Sequence, residues 1–122
     1  MKKSLAVLAG LALASSFALA GDLAANADYK AKCAMCHGAN GDGKGDVALD
    51  MKLKMNNETD PALLSSHTDG ELFYIIKKGK DRMPPEGDRV KDQTIWDMVN
   101  YIRSFAKKTE SAEKATADKA PN

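Results

Sequence analysis

Cys33-Ala34-Met35-Cys36-His37 is the stretch on which the reading of this chain turns. Its two cysteines are the only ones in 122 residues, and at that spacing they cannot staple a fold as a disulfide framework. Upstream, Ala25, Tyr29, Cys33 and Cys36 recur at spacings of four, four and three, so they share one face of a helix expected from Asp22 to about Cys36. Downstream, Gly38, Gly41, Gly43 and Gly45 punctuate a loop that ends any helix. Two thiols therefore sit about one helical turn apart, and an imidazole follows the second directly.

That pattern, C-x-x-C-H, is the attachment signature of c-type haem. Each thiol can add to one vinyl group, giving two thioether bonds, and the adjacent histidine lies under the iron. A covalently held haem would also fill a core that is lean in aromatics, at 6% of residues. A thioredoxin-type pair would need a βαβ context, whereas the flanks here read as helix and Gly-rich loop. A zinc site would need two more ligands, and His67 is the only other histidine. The glycines do not make a phosphate loop, because no strand precedes them and no Gly-Lys-Ser/Thr occurs. An EF-hand fails at its fifth and twelfth positions, Lys44 and Met51.

Working outward, the N-terminus opens with Lys2-Lys3, runs through the apolar Leu5–Ala14 and closes on Ala18-Leu19-Ala20. This is the layout of a secretory signal peptide, residues 1–20, cleaved before Gly21. The apolar run is short of the ~20 residues that span a bilayer, so no membrane insertion is expected after cleavage. Export fits haem attachment outside the cytoplasm and points to the periplasm. The formal charge is +1, which excludes the basic excess of a nucleic-acid binder.

The rest reads as all-α, three to four short helices with long loops. Asp60-Pro61 places a cap before a first-turn proline, for a brief helix over Pro61–Ser65. The stretch from Asp46 to Asn57 is ambiguous, with a short helical turn possible. Thr68 and Glu71 form a capping-box pattern ahead of Leu72, Ile75 and Ile76, with Lys77, Lys78 and Gly79 marking the end. The last helix is expected from Asp92 to Lys107, with Ile95, Met98, Val99, Ile102, Phe105 and Ala106 on one face and Tyr101 on its flank. The domain is thus 21–107, followed by a charged flexible tail, 108–122.

From about Asp22 to Phe105 the chain resembles the class I c-type cytochromes, in particular small bacterial monohaem ones. Four features carry the resemblance: the C-x-x-C-H, the glycine-rich segment after it, Met83-Pro84 far downstream, and an aromatic-bearing closing helix. The resemblance implies a cytochrome c fold around one covalently bound haem c, with Ala25 and Tyr29 of the first helix crossing Met98 and Tyr101 of the last. It implies thioether links at Cys33 and Cys36, and His37 and Met83 as the two axial iron ligands. His67 is the alternative sixth ligand. The family commonly carries a proline soon after the haem histidine, whose carbonyl takes the ring N–H. None occurs here between His37 and Pro61, and a carbonyl from Asp46-Val47-Ala48-Leu49 is expected to serve instead.

What the resemblance implies is an electron carrier rather than an enzyme: a monomer cycling Fe(III)/Fe(II) between redox partner proteins. The alternatives are a haem enzyme or gas sensor with a labile sixth ligand, or a cytochrome subunit of a larger redox enzyme. The basic run Lys77, Lys78, Lys80 and Arg82 reads as a solvated helix end, or as a docking patch for an acidic redox partner.

Overall fold

The structure is a computed structural model that describes residues 24–117. The expected signal peptide, its cleavage point and the last residues of the tail lie outside the described residues. Helix α1 spans residues 24–32 and gives way to a turn at Cys33. Then follow α2 (Ala34–His37), α3 (Asp46–Asp50), α4 (Pro61–Ser65), α5 (Asp69–Lys78) and α6 (Asp92–Ala117). Among the described residues there is no strand; the one β-type pairing is an isolated bridge between Lys80 and Met83. The architecture is all-α, as the patterning implies, with more short helical segments than expected because α2, α3 and α4 are single turns.

The helix signals act as local chemistry requires. Asp60 Oδ1 accepts from the Ala62 N–H at 2.9 Å, capping α4 with Pro61 in its first turn. Thr68 and Glu71 form a reciprocal capping box at the start of α5. The Thr68 N–H on the Glu71 carboxylate holds that acid below its ordinary range. Lys77 then bridges the end of α5 to the start of α6 through both Asp92 oxygens, at 2.7 and 2.8 Å. Each charge also complements the helix end on which it sits.

The core is built on α6. All six residues of its expected apolar face are buried, joined by Tyr29, Leu64 and Ile76. Burying side chains such as Ile95, Met98 and Val99 contributes about 1.5–3 kcal/mol each. Ala25 is buried beside them. Tyr29, Tyr101 and Phe105 form a three-ring cluster with centroids 5.1–5.4 Å apart, in tilted and edge-on pairings. The first and last helices therefore meet at Tyr29 and Tyr101, the aromatic pair of the crossing that the resemblance implied. Arg103, on the same helix, donates to Asp69 Oδ1 and to the carbonyls of Leu64 and His67. It thereby adds a donor to carbonyls at and just beyond the end of α4.

One expectation needs correcting. The last helix does not end at Lys107 but continues to Ala117, through the first part of the expected tail. Nothing between those residues can stop it: the segment has neither Gly nor Pro and is rich in Ala, Glu and Lys. Lys108 lies over the Tyr101 and Phe105 rings, and Thr109 donates to the Phe105 carbonyl, which ties the extension to the core.

Candidate functional site

Cys33 closes α1, its N–H bonded to the Tyr29 carbonyl at 2.8 Å. Its own carbonyl receives the N–H groups of Cys36 and His37, at 3.1 and 2.9 Å. This single turn sets both thiols and the imidazole at one end of the helix. Both thiols are free and half-buried. Burial, reinforced by the charges of Glu86 and Glu58, pushes the Cys33 thiol up to about 11.

The glycine loop folds back over this turn. Gly43 N–H donates to the His37 carbonyl and Gly45 N–H to that of Cys36. Gly41 adopts φ +76, and a Cβ there would run into the Phe105 ring. The loop thus seals the motif against α6, and only glycine permits that approach. Tyr29 O–H donates to the Gly38 carbonyl at 2.9 Å from below.

His37 Nδ1 faces a side chain that no local pattern in the sequence singles out. It lies 3.1 Å from Glu58 Oε1, with both side chains largely buried. The contact is off the hydrogen-bond axis, so Nδ1 and Glu58 Oε2 have no hydrogen-bond partner among the described residues. Glu58 is held there by its own N–H, which donates to the Gly41 carbonyl at 2.7 Å. No carbonyl of the expected stretch Asp46–Leu49 accepts from Nδ1. Those of Val47, Ala48 and Leu49 are engaged by the N–H groups of Met51, Leu53 and Lys52.

Met83 lies on a loop clamped to the end of α5. Gly79 N–H donates to the Ile75 carbonyl, Glu86 N–H to that of Ile76 and Gly87 N–H to that of Lys77. The last carbonyls of the helix, otherwise unpaired, are thereby used to fix the loop. Within it, Lys80 and Met83 exchange two backbone hydrogen bonds. Met83, like Cys33, is partly buried against the core cluster. Of the other described methionines, Met35 and Met51 are 52% and 54% exposed and Met98 is sealed in the core, while Met55 is half-buried beside Gly43 of the glycine loop. His67 lines a surface groove with Thr68, Glu71 and Tyr74 at the start of α5, and none of the motif residues lines that groove. Glu86, three residues beyond Met83, is a buried carboxylate with one oxygen near Arg89 and the other without a partner among the described residues.

A family model described as cytochrome C oxidase, cbb3-type, subunit III, matches residues 22–102. The chain belongs to the c-type cytochromes. It is 32% identical over 81 residues to cytochrome c6 of Pyropia tenera, covering 66% of this chain and 87% of that protein. To cytochrome c6 of Porphyra purpurea it is 32% identical over 119 residues, covering 88% and 98%. As a c-type cytochrome it binds haem c covalently. The donor set fits that group: two free thiols one turn apart, an adjacent imidazole whose Nδ1 is turned to a carboxylate, and a half-buried thioether on a fixed loop. Among the described residues, no three His, Cys, Asp or Glu side chains cluster as a site for a bare metal ion, and no helix is long and apolar enough to cross a membrane.

Of the basic run, Lys77 is engaged by Asp92 and also lies 5.5 Å from the centre of the Phe73 ring. Lys78, Lys80 and Arg82 remain exposed.

Proposed function

We propose that this cytochrome is an exported, monomeric electron carrier of the periplasm, with His37 and Met83 as axial ligands and Cys33 and Cys36 as the thioether anchors. The haem supplies a one-electron Fe(III)/Fe(II) couple. The chain's part is to close both axial positions, leaving no site for substrate, and to hold its ligands still through the electron transfer. The carrying observation is the pair of backbone clamps: the C-x-x-C-H turn locked by the glycine loop, and Met83 locked to the end of α5. A thioether opposite histidine is a soft ligand and favours the ferrous state. Similarity over 87% of one cytochrome c6 and 98% of another supports an electron carrier acting with redox partners.

The test is spectroscopic. The matured protein should keep its colour through acid-acetone extraction and show a haem-stained band after denaturing electrophoresis. It should be low-spin in both oxidation states, with the weak far-red band of methionine ligation, and bind carbon monoxide slowly. High-spin iron and rapid carbon monoxide binding would instead establish the haem enzyme or sensor reading. The family model's name favours a second reading, a cytochrome subunit of a larger redox enzyme. Stable co-purification with oxidase subunits from the native membrane would establish it over the free carrier.

A further inference from the structure

The group beside the distal nitrogen of a metal-bound histidine fixes ring orientation and tunes how strongly the ring donates to the metal. A backbone carbonyl is a neutral acceptor; a carboxylate adds a full negative charge and makes the imidazole a stronger donor. In this chain a carboxylate oxygen, Glu58 Oε1, lies 3.1 Å from His37 Nδ1. That distance lies within hydrogen-bond reach, although the contact is off the hydrogen-bond axis, and Nδ1 has no hydrogen-bond partner among the described residues.

Three features show that Glu58 is built into this position. Its backbone is bonded to Gly41 in the loop that covers the motif. Its Cβ lies against Gly41, 3.2 Å from where a Cβ on that glycine would be. Its side chain is largely buried, yet no arginine or lysine pairs with it among the described residues. A buried carboxylate with no cation beside it is costly, and a ring N–H donated from His37 would offset that cost.

We propose that Glu58 is a positioning residue for the haem: through Nδ1 it orients the His37 ring and strengthens its donation, lowering the reduction potential. This rests on the reading of His37 as an axial ligand. Glu58 and Met83 then act in opposition, the thioether favouring ferrous iron and the carboxylate-backed imidazole favouring ferric, so the potential is set between them.

The experiment uses the matured holoprotein, labelled with ¹⁵N-histidine, and the variants Glu58→Gln and Glu86→Gln. In the reduced wild-type protein, the His37 Nδ1 proton should exchange slowly and show a nuclear Overhauser contact to the Glu58 γ-methylene. Glu58→Gln keeps an acceptor and the side-chain volume but loses the charge. It should raise the ferrous:ferric ratio at fixed applied potential by tenfold or more, equivalent to 59 mV for one electron. Glu86→Gln removes the buried carboxylate whose charge acts on Cys33 and that is not paired with His37, so it reports the loss of a buried charge alone and should shift the ratio less than Glu58→Gln does. The proposal is overturned if Glu58→Gln moves the ratio no more than Glu86→Gln does. It is also overturned if the wild-type Nδ1 proton contacts only backbone, a readout that holds even if a variant fails to mature. A wild-type His37 ring without haem-shifted resonances would overturn the ligand assignment itself, which separates the two failures.

Discussion

The Tyr29 hydroxyl donates to the Gly38 carbonyl across 2.9 Å in the protein interior. It thereby ties the middle of α1 to the residue immediately after His37, and because the Tyr29 carbonyl also accepts from the Cys33 N–H, both ends of the haem-binding turn are held by one residue. Burial, with the nearby charge of Glu58 next in weight, raises the phenol well above its ordinary value of 10.0.

Tyr29→Phe should therefore separate two effects. At neutral pH the variant loses one buried hydrogen bond, a cost of about 1 kcal/mol. The wild-type phenol has a folded pKa above its unfolded one. Its contribution to stability is complete below roughly pH 10 and is lost as pH rises beyond it. Urea unfolding across that range should show wild-type stability falling more steeply than that of Tyr29→Phe. Parallel curves would remove Tyr29 as the alkaline-sensitive group.

Ala25 is buried on α1, one turn before Tyr29, whose ring meets Tyr101 of α6. Ala25→Leu should cost about 1–3 kcal/mol by overpacking, read as a fall of several degrees in Tm. Ala24→Leu, one position round the helix and exposed, should leave Tm within a degree or two. Equal effects would mean that the tight contact is not at Ala25.

Two glycines of the α5 region should respond with opposite signs. Gly70 lies in α5, and a Cβ added to it would meet nothing within 4 Å, so Gly70→Ala should stabilise by about 0.5 kcal/mol. Gly79 has φ 75 and ψ 168, a region nearly confined to glycine, and a Cβ there would meet the Met83 carbonyl at 2.5 Å. Gly79→Ala should destabilise by more than about 1 kcal/mol and speed carbon monoxide binding by loosening the Met83 loop. A destabilised variant with unchanged carbon monoxide kinetics would show that the loop's conformation does not govern the ligand.

The parts of this structure legible in the sequence are those encoded by local pattern. The six-residue face of α6 and the Thr68–Glu71 cap follow from periodicity and end-chemistry, because each depends on neighbours three or four residues away. The Tyr29–Tyr101 contact is legible only through the family resemblance. Arg103 and Glu58 are not legible. Arg103 meets Asp69 from 34 residues away, and Glu58 reaches His37 only because the glycine loop turns the chain back on itself. A charged residue in a polar stretch reads as solvated until its tertiary partner is known. The end of α6 escapes for a different reason: a charged segment reads as tail, although its composition favours helix as strongly as it favours solvent.

Met83 carries the sharpest test, because its removal distinguishes a closed carrier from an open haem site. Among the described residues, Met83→Ala deletes the one methionine that is both partly buried against the core and fixed on a clamped loop, whereas Met51 is exposed and Met98 is enclosed. With the sixth position open, water or an added ligand should bind, carbon monoxide should combine rapidly and peroxidase-like side activity should emerge. The reduction potential should fall, because the ligand that favours ferrous iron is gone. Met83→Leu nearly preserves side-chain volume and should give the same spectral change with less loss of stability, which separates ligation from packing. Met51→Ala and Met55→Ala should leave the potential nearly unchanged. A Met83→Ala protein with wild-type spectrum and potential would remove Met83 as the ligand, and His67→Ala would then be the variant in which the low-spin signature should vanish.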